Sequence, residues 1–194
     1  MRRARDHNSR MPNHRTSETH PLEIAYVQAS PDHGRIGLTF CPGKCQPDAA
    51  TGSWDRDLDI DLDAVKNWGA SLLLTLVEQN ELEQLRVPGL GEAARIRNIQ
   101  WLHLPIKDYH TPDNSFENDW ASNGGTIRQL LRNGSDIVVH CKGGLGRAGM
   151  IAARLLVELG VPPETAIKSV RAVREGAIET ASQEEVVRQT KPMP

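Results

Sequence analysis

The sequence predicts an α/β domain with a mainly parallel central sheet flanked by helices on both faces. Short β-prone runs alternate with longer helical patterns along most of the chain, and that order demands crossover connections between parallel strands. Residues 71–77 are apolar almost throughout and residues 136–139 form a short β-branched run, the composition of strands buried on both faces. A loop rich in glycine joins the second run to an Ala- and Leu-rich helical stretch at 150–159.

At 194 residues with a net charge of −2, the chain fits one domain with a sizeable core and short tails. That charge gives no reason to expect nucleic acid or an anionic membrane as partner. No apolar run approaches the roughly 20 residues of a membrane span, and the basic N-terminus has no hydrophobic stretch behind it, so it does not read as a secretory signal. Three cysteines, an odd number at low density, fit a reducing compartment, and the expected location is cytoplasmic. Oligomeric state is not legible.

Residues 1–21 hold five arginines, two acidic residues and two prolines, the composition of a disordered basic tail. The domain is expected over 22–189, with 190–194 a frayed end. Within it, runs at 24–27 and 35–40 surround a Pro-Asp-His-Gly turn and predict a hairpin. Cys41 and Cys45 have metal-like spacing but no second ligand pair follows, so no metal is expected. A polar loop leads to a helix over 59–68 that ends at Gly69. Strand 71–77, short helices at 81–85 and 89–98, and an alternating strand over 99–106 come next. A helix over 115–133, with a possible break at Gly124-Gly125, precedes the strand at 136–139. A last helix opens at Pro162 or Pro163 with Lys168, Arg171 and Arg174 on its wet side.

The candidate chemistry lies in His140-Cys141-Lys142-Gly143-Gly144-Leu145-Gly146-Arg147. Glycines let this backbone curl so that successive N–H groups converge on a common hollow, which the helix N-terminus behind it makes an anion site. Cys141 at the base feels the same field, which favours the nucleophilic thiolate. Arg147, six positions on, can hold two phosphate oxygens with its planar fork. Lys142, Gly143, Gly144, Leu145 and Gly146 are therefore the expected phosphate cradle. No Gly-Lys-Ser/Thr ending is present, so a Mg²⁺-nucleotide loop is not indicated. A second loop, residues 107–113, follows the strand at 99–106, and ligands gather at such carboxyl ends. Its Asp108 and Asp113 are both candidates to protonate a leaving oxygen, and spacing alone does not choose between them.

These segments resemble the cysteine-dependent protein tyrosine phosphatases, whose signature is His-Cys, five residues, then Arg. The narrower resemblance is to the dual-specificity type and its kinase-associated phosphatase family. It is carried by Arg86-Val87-Pro88-Gly89-Leu90, by Leu104-Pro105-Ile106-Lys107-Asp108-Tyr109-His110-Thr111-Pro112-Asp113, and by Glu175-Gly176-Ala177-Ile178-Glu179-Thr180 with Gln183. The resemblance implies a phosphorylated protein as substrate, no cofactor, Asp108 as general acid and base, and supporting roles for His140, Gln183 and Asp113. It also gives the Cys41 stretch a structural role. The chain departs from the family at Ala148, where relatives usually carry Ser or Thr. In the family that hydroxyl helps the cysteinyl-phosphate break down, so a slow second step is expected here. Lys142 also occurs in phosphoinositide-directed relatives, but those usually carry a second basic residue where this chain has Leu145. Two alternatives differ in class. One is a low-turnover module that captures phosphoproteins; the other is a rhodanese-like sulfurtransferase.

Overall fold

The computed structural model describes residues 14–49 and 52–194. The chain enters the sheet through an antiparallel hairpin, β1 (Ala25–Val27) and β2 (Ile36–Phe40). Past it, two short strands that the sequence reading took for a polar loop, β3 (Cys45–Gln46) and β4 (Trp54–Asp55), pair with each other. Helix α1 (Leu58–Trp68) starts at Asp57, whose side chain accepts from the Ile60 amide, and ends at Gly69 in the left-handed region. Then follow β5 (Leu72–Thr75), α2 (Gln79–Gln84), α3 (Leu90–Ile96) and β6 (Gln100–His103). Helix α4 (Asn114–Arg132) runs through Gly124 and Gly125 without the suspected break. Strand β7 (Ile137–Cys141) leads into α5 (Gly146–Glu158), and α6 (Pro163–Val173) and α7 (Ala181–Gln189) close the chain.

The main sheet has the order β1-β2-β7-β5-β6. Only the β1–β2 pair is antiparallel. The expected fold class therefore stands, and β7 lies at its centre with all five residues buried. Alternation along β6 shows how the faces are covered. Trp101 packs so closely on α3 that a Cβ at Gly91 would overlap its indole. Its neighbour Leu102 lines a small cavity with Ile127 and Leu130 of α4, which Trp101 also borders. Parallel strands aligned in this way place the C-terminal ends of β2, β5, β6 and β7 on one edge, and the candidate loops leave from that edge.

Both tail boundaries move outward. Residues 14–21, expected within the N-terminal tail, dock on the domain: the Arg15 amide donates to the Ser53 carbonyl at 2.9 Å, and the buried Ser17 hydroxyl accepts from the Asp57 amide at 3.0 Å. The rest of that expected tail, residues 1–13, lies outside the described residues. At the other end, the Met193 amide donates to the Glu158 carbonyl at 2.9 Å and the Met193 carbonyl accepts from Arg132 at 2.7 Å. Among the described residues no helix is long and apolar enough to cross a membrane.

Candidate active site

Strand β7 delivers Cys141 to the sheet edge, and the backbone then turns back on itself. Gly144 adopts φ 72°, and a Cβ there would overlap the Thr39 backbone of β2, so this is the loop position that requires glycine. The turn aims the Gly144 amide at Cys141, and it donates to Sγ at 3.2 Å. Cys141 itself is 3 % exposed. The helix expected from residue 150 begins earlier, at Gly146, which puts Arg147 in the first turn of α5.

Arg147 is almost wholly buried and its guanidinium is closely specified. Its Nη1 donates to Glu81 Oε2 at 2.6 Å and to the Ile106 carbonyl at 2.9 Å, while Nη2 donates to Glu81 Oε1 at 3.0 Å. Asp108 Oδ1 lies 2.9 Å from Nη2. Burial opposes the charge on Arg147, but the Glu81 hydrogen bonds and the nearby Cys141, Glu81 and Asp108 outweigh it and push its pKa up. On Glu81, burial would favour the neutral acid, yet hydrogen bonds from Arg147 and the Glu78 amide hold it below its ordinary range. Arg147 Nε is buried and has no partner among the described residues. A buried N–H donor left open is costly, and this one belongs to the side chain expected to grip an oxyanion.

The remaining sequence candidates separate. Lys142, Gly143 and Leu145 line a cavity of about 310 Å³ together with Cys141, Asp108, Tyr109, Lys44 and Glu179. Gly146 donates its amide to the Glu179 carboxylate at 2.8 Å. Asp108 sits in this cavity, whereas Asp113 caps α4, its Oδ1 accepting from the Phe116 amide at 2.8 Å. Asp113 instead borders a separate cavity of about 530 Å³ with Glu78, Lys107 and Asp119. Gln183 is fully buried; its Nε2 donates to the His110 carbonyl at 3.2 Å and its Oε1 accepts from the Glu179 amide at 3.0 Å. It thus ties the acid-bearing loop to the turn before α7.

His140 lies beneath the loop. Trp101 Nε1 donates to Thr75 Oγ1 at 2.8 Å, and Thr75 Oγ1 lies 2.7 Å from His140 Nε2. The indole can only donate, so the Thr75 hydroxyl is free to send its hydrogen to Nε2. The ring then keeps its proton on Nδ1, which lies 3.4 Å from the Cys141 carbonyl. Burial drives the His140 pKa down to about 3, only partly offset by that backbone contact.

Three residues around the site escaped the sequence reading. Glu81 looked like an ordinary first-turn acid of a short helix, and its Glu78-Gln79-Asn80-Glu81 context signals helix capping, not a partner 66 residues away. Lys44 is buried behind Cys41, with Nζ above the Phe40 and Trp54 rings at 4.9 and 4.6 Å. Arg174, read as wet, donates to the Gly144 and Gly143 carbonyls, both at 3.2 Å. Arg171, also read as wet, does stay exposed while donating to the Ala177 and Ile178 carbonyls. Glu179 was noticed only within a resembling segment. All three cysteines are free, so no disulfide protects Cys141 in this state.

A buried cysteine that accepts a backbone amide at a helix N-terminus, beside a buried arginine, is the arrangement expected of the cysteine-dependent phosphatases. The chain belongs to that class: residues 53–187 match the family described as the Swiss Army Knife protein, DSP-PTPase phosphatase domain. Among individual proteins, it is similar to human cyclin-dependent kinase inhibitor 3, with 32 % identity over 86 % of this chain and 77 % of that protein. Bovine protein tyrosine phosphatase type IVA 3 shares 33 % identity over 81 % of this chain and 77 % of its own length. The crystal structure of kinase-associated phosphatase, solved with its catalytic-site cysteine replaced by serine, superposes with a TM-score of 0.75. It shares 29 % identity and covers 87 % of this chain and 93 % of that one. The protein is thus a phosphatase of the tyrosine and dual-specificity type.

Proposed function

We propose that the protein hydrolyses phosphomonoesters on phosphorylated proteins through a cysteinyl-phosphate on Cys141. One observation carries this reading: the Gly144 amide points at Cys141 Sγ while the buried Arg147 beside it keeps Nε unpartnered. The thiolate attacks phosphorus, forming the S–P bond as the P–O bond to the substrate breaks. Asp108 gives its proton to the departing oxygen. Loop amides between Lys142 and Leu145, with Arg147, hold the equatorial oxygens, while the Gly146 amide expected to join them is taken by Glu179, so catalysis is largely positional and electrostatic. Water then attacks phosphorus, losing a proton to Asp108, and the S–P bond breaks to restore the thiolate.

His140 supports this by bracing the Cys141 carbonyl as a neutral ring. Gln183 supports it by holding the His110 carbonyl, two residues past Asp108. Asp113 serves through the α4 cap that ends the same loop. Tyr109, 63 % exposed at the cavity mouth, offers a ring face to an aryl phosphate. A reducing compartment such as the cytoplasm suits a reaction that needs Cys141 as a free thiol.

The test is hydrolysis of p-nitrophenyl phosphate and of a phosphotyrosyl peptide, each with wild type and Cys141→Ser. Turnover that the substitution abolishes supports the proposal; turnover that survives it sinks it. A second reading, a phosphoprotein-capturing module with little turnover, draws on Ala148 alone. It would show tight phosphopeptide binding with negligible release of phosphate by wild type. Family membership removes support from the sulfurtransferase alternative.

A further inference from the structure

We propose that Lys44 is a positioning residue for the reaction, an ammonium walled in behind the phosphate loop that keeps Cys141 ionised. This rests on Cys141 being the nucleophile.

The segment that carries Lys44 is fixed from several directions. Gly43, at φ 71°, donates its amide to Asp61 Oδ2 at 2.8 Å. Asp61 is held in turn by Arg56, whose Nε and Nη2 donate to its two carboxylate oxygens, both at 2.7 Å, with neither side chain exposed. The Lys44 amide donates to the Cys41 carbonyl and the Cys45 amide to the Leu85 carbonyl. The Lys142 carbonyl, next to the nucleophile, accepts both the Cys41 amide and Lys44 Nζ, each at 3.4 Å. Lys44 is 4 % exposed, yet it lines the cavity that contains Cys141.

Lys44 differs from the other cations near the sulfur in its lack of a strong partner. Arg147 is committed to Glu81 through two hydrogen bonds, and Arg174 to the Gly143 and Gly144 carbonyls. Lys44 Nζ makes one long hydrogen bond and sits over two aromatic faces, and among the described residues no carboxylate lies within ion-pairing distance of it. A buried ammonium with three donors and one weak acceptor is expensive unless a negative charge shares its site.

Two thiols neighbour it, Cys41 and Cys141. Burial pushes Cys41 far above the ordinary thiol range despite Lys44, so Cys41 stays neutral. Asp108 and Glu179 line the same cavity but are engaged by Arg147 and by the Gly146 amide, so Cys141 is the group we assign to face Lys44. Burial is also the main force on Lys44 itself, and it brings the pKa down to about 8. The ammonium is thus charged at neutral pH and titrates just above it. Since Ala148 has no hydroxyl to lend the sulfur, Lys44 carries more of that task.

The test measures alkylation of Cys141 by iodoacetamide against pH, followed by peptide mass mapping, in the full chain and in Lys44→Met and Lys44→Arg. A neighbouring opposite charge shifts an ionisation by about one unit or more. The midpoint of the Cys141 curve is therefore expected to rise by about one pH unit in Lys44→Met and to return toward wild type in Lys44→Arg. In steady-state assays the wild-type alkaline limb should fall near pH 8, and Lys44→Arg should move it higher. A purely structural lysine would leave both midpoint and limb in place, and that result overturns the inference. If Lys44→Met does not fold, the position of the limb in Lys44→Arg decides alone. Should Cys141→Ser retain turnover, the nucleophile assignment fails instead, and the two failures are distinguishable.

Discussion

Arg147 and Asp108 face each other across 2.9 Å, but the arginine side chain is 1 % exposed and the aspartate 42 %. Arg147 rides on the first turn of a helix packed in the core and is gripped by Glu81 and the Ile106 carbonyl. Asp108 lies on a loop whose next residue, Tyr109, has φ 58° and stands in solvent. Apart from Arg147, among the described residues its carboxylate receives only the Tyr109 amide at 3.1 Å. The difference fits the roles proposed for the two sides. Groups that stabilise charge on a transferring phosphoryl must be in place beforehand, away from water, where their fields are strongest. A proton donor has to reach leaving groups of several shapes, and it tolerates a looser mount.

The strongest way to break this comparison is to spoil the rigid side while keeping its charge. Arg147→Lys retains a cation but loses the planar fork that meets Glu81 and leaves Nε for substrate. Each donor lost to the transition state costs about 10²–10³-fold, so kcat/KM should fall by about 10³-fold or more. Thermal melting should also drop, because Glu81 would be left incompletely paired in a buried site. A variant within tenfold of wild type would show that the arginine is merely a structural tie to α2.

The same buried half should give itself away in acid. His140 has a folded-state pKa of about 3 against an ordinary 6.5. Between those values the unfolded chain takes up a proton that the folded one refuses, so stability is fully present above pH 6.5 and drains away as pH falls toward 3. At about 1.4 kcal/mol per unit, the loss from this one ring amounts to about 3 kcal/mol by pH 4.5. Urea unfolding at pH 7 and 4.5 measures it, taken as the wild-type change minus that of His140→Gln. Equal changes in the two proteins would mean that the imidazole is protonated in the folded state.

How far the site was legible depended on whether its parts were local in sequence. Cys141, the loop glycines and Arg147 lie within one turn of chain, and their spacing alone implies an anion cradle. The fold was legible for a similar reason: apolar runs such as Leu72–Thr75 announce strands buried on both faces. Glu81, Lys44 and Arg174 were not legible. Each reaches the site through tertiary packing, and a glutamate in a first turn or an arginine on a basic helix face has an ordinary local explanation. Asp108 stood between these cases, since spacing left it level with Asp113 and only the family resemblance chose it; Asp113 is the N-cap of α4.

The exposed side can be probed by neutralising it. Asp108→Asn removes the proton donor without altering shape, and general acid catalysis is worth about 10²-fold at its lower end. That loss should appear with phosphoserine and phosphotyrosine peptides, whose oxygens need the proton. It should shrink with p-nitrophenyl phosphate, whose nitrophenolate departs without one. If Asp113→Asn gave the larger loss with the peptides, the assignment of the two aspartates would be reversed.

The smallest effect expected lies at Ala148, fully buried one residue beyond Arg147. Its methyl cannot donate a hydrogen bond, so in the proposed mechanism the step in which the S–P bond breaks lacks the contact that the family's hydroxyl supplies. Supplying one charge-assisted hydrogen bond is worth about 1.5 kcal/mol or more, about tenfold in rate if it acts in that step. Ala148→Ser adds a single oxygen at the start of α5, so packing should absorb it. Wild type should then show a burst of p-nitrophenol followed by slow turnover, and the serine variant about tenfold faster turnover with the burst reduced. A wild type without a burst, paired with a variant no faster, would place the slow step before the phosphoenzyme. The rigid half of the site would then already stabilise the thiolate fully without the hydroxyl, as a cation at Lys44 would allow.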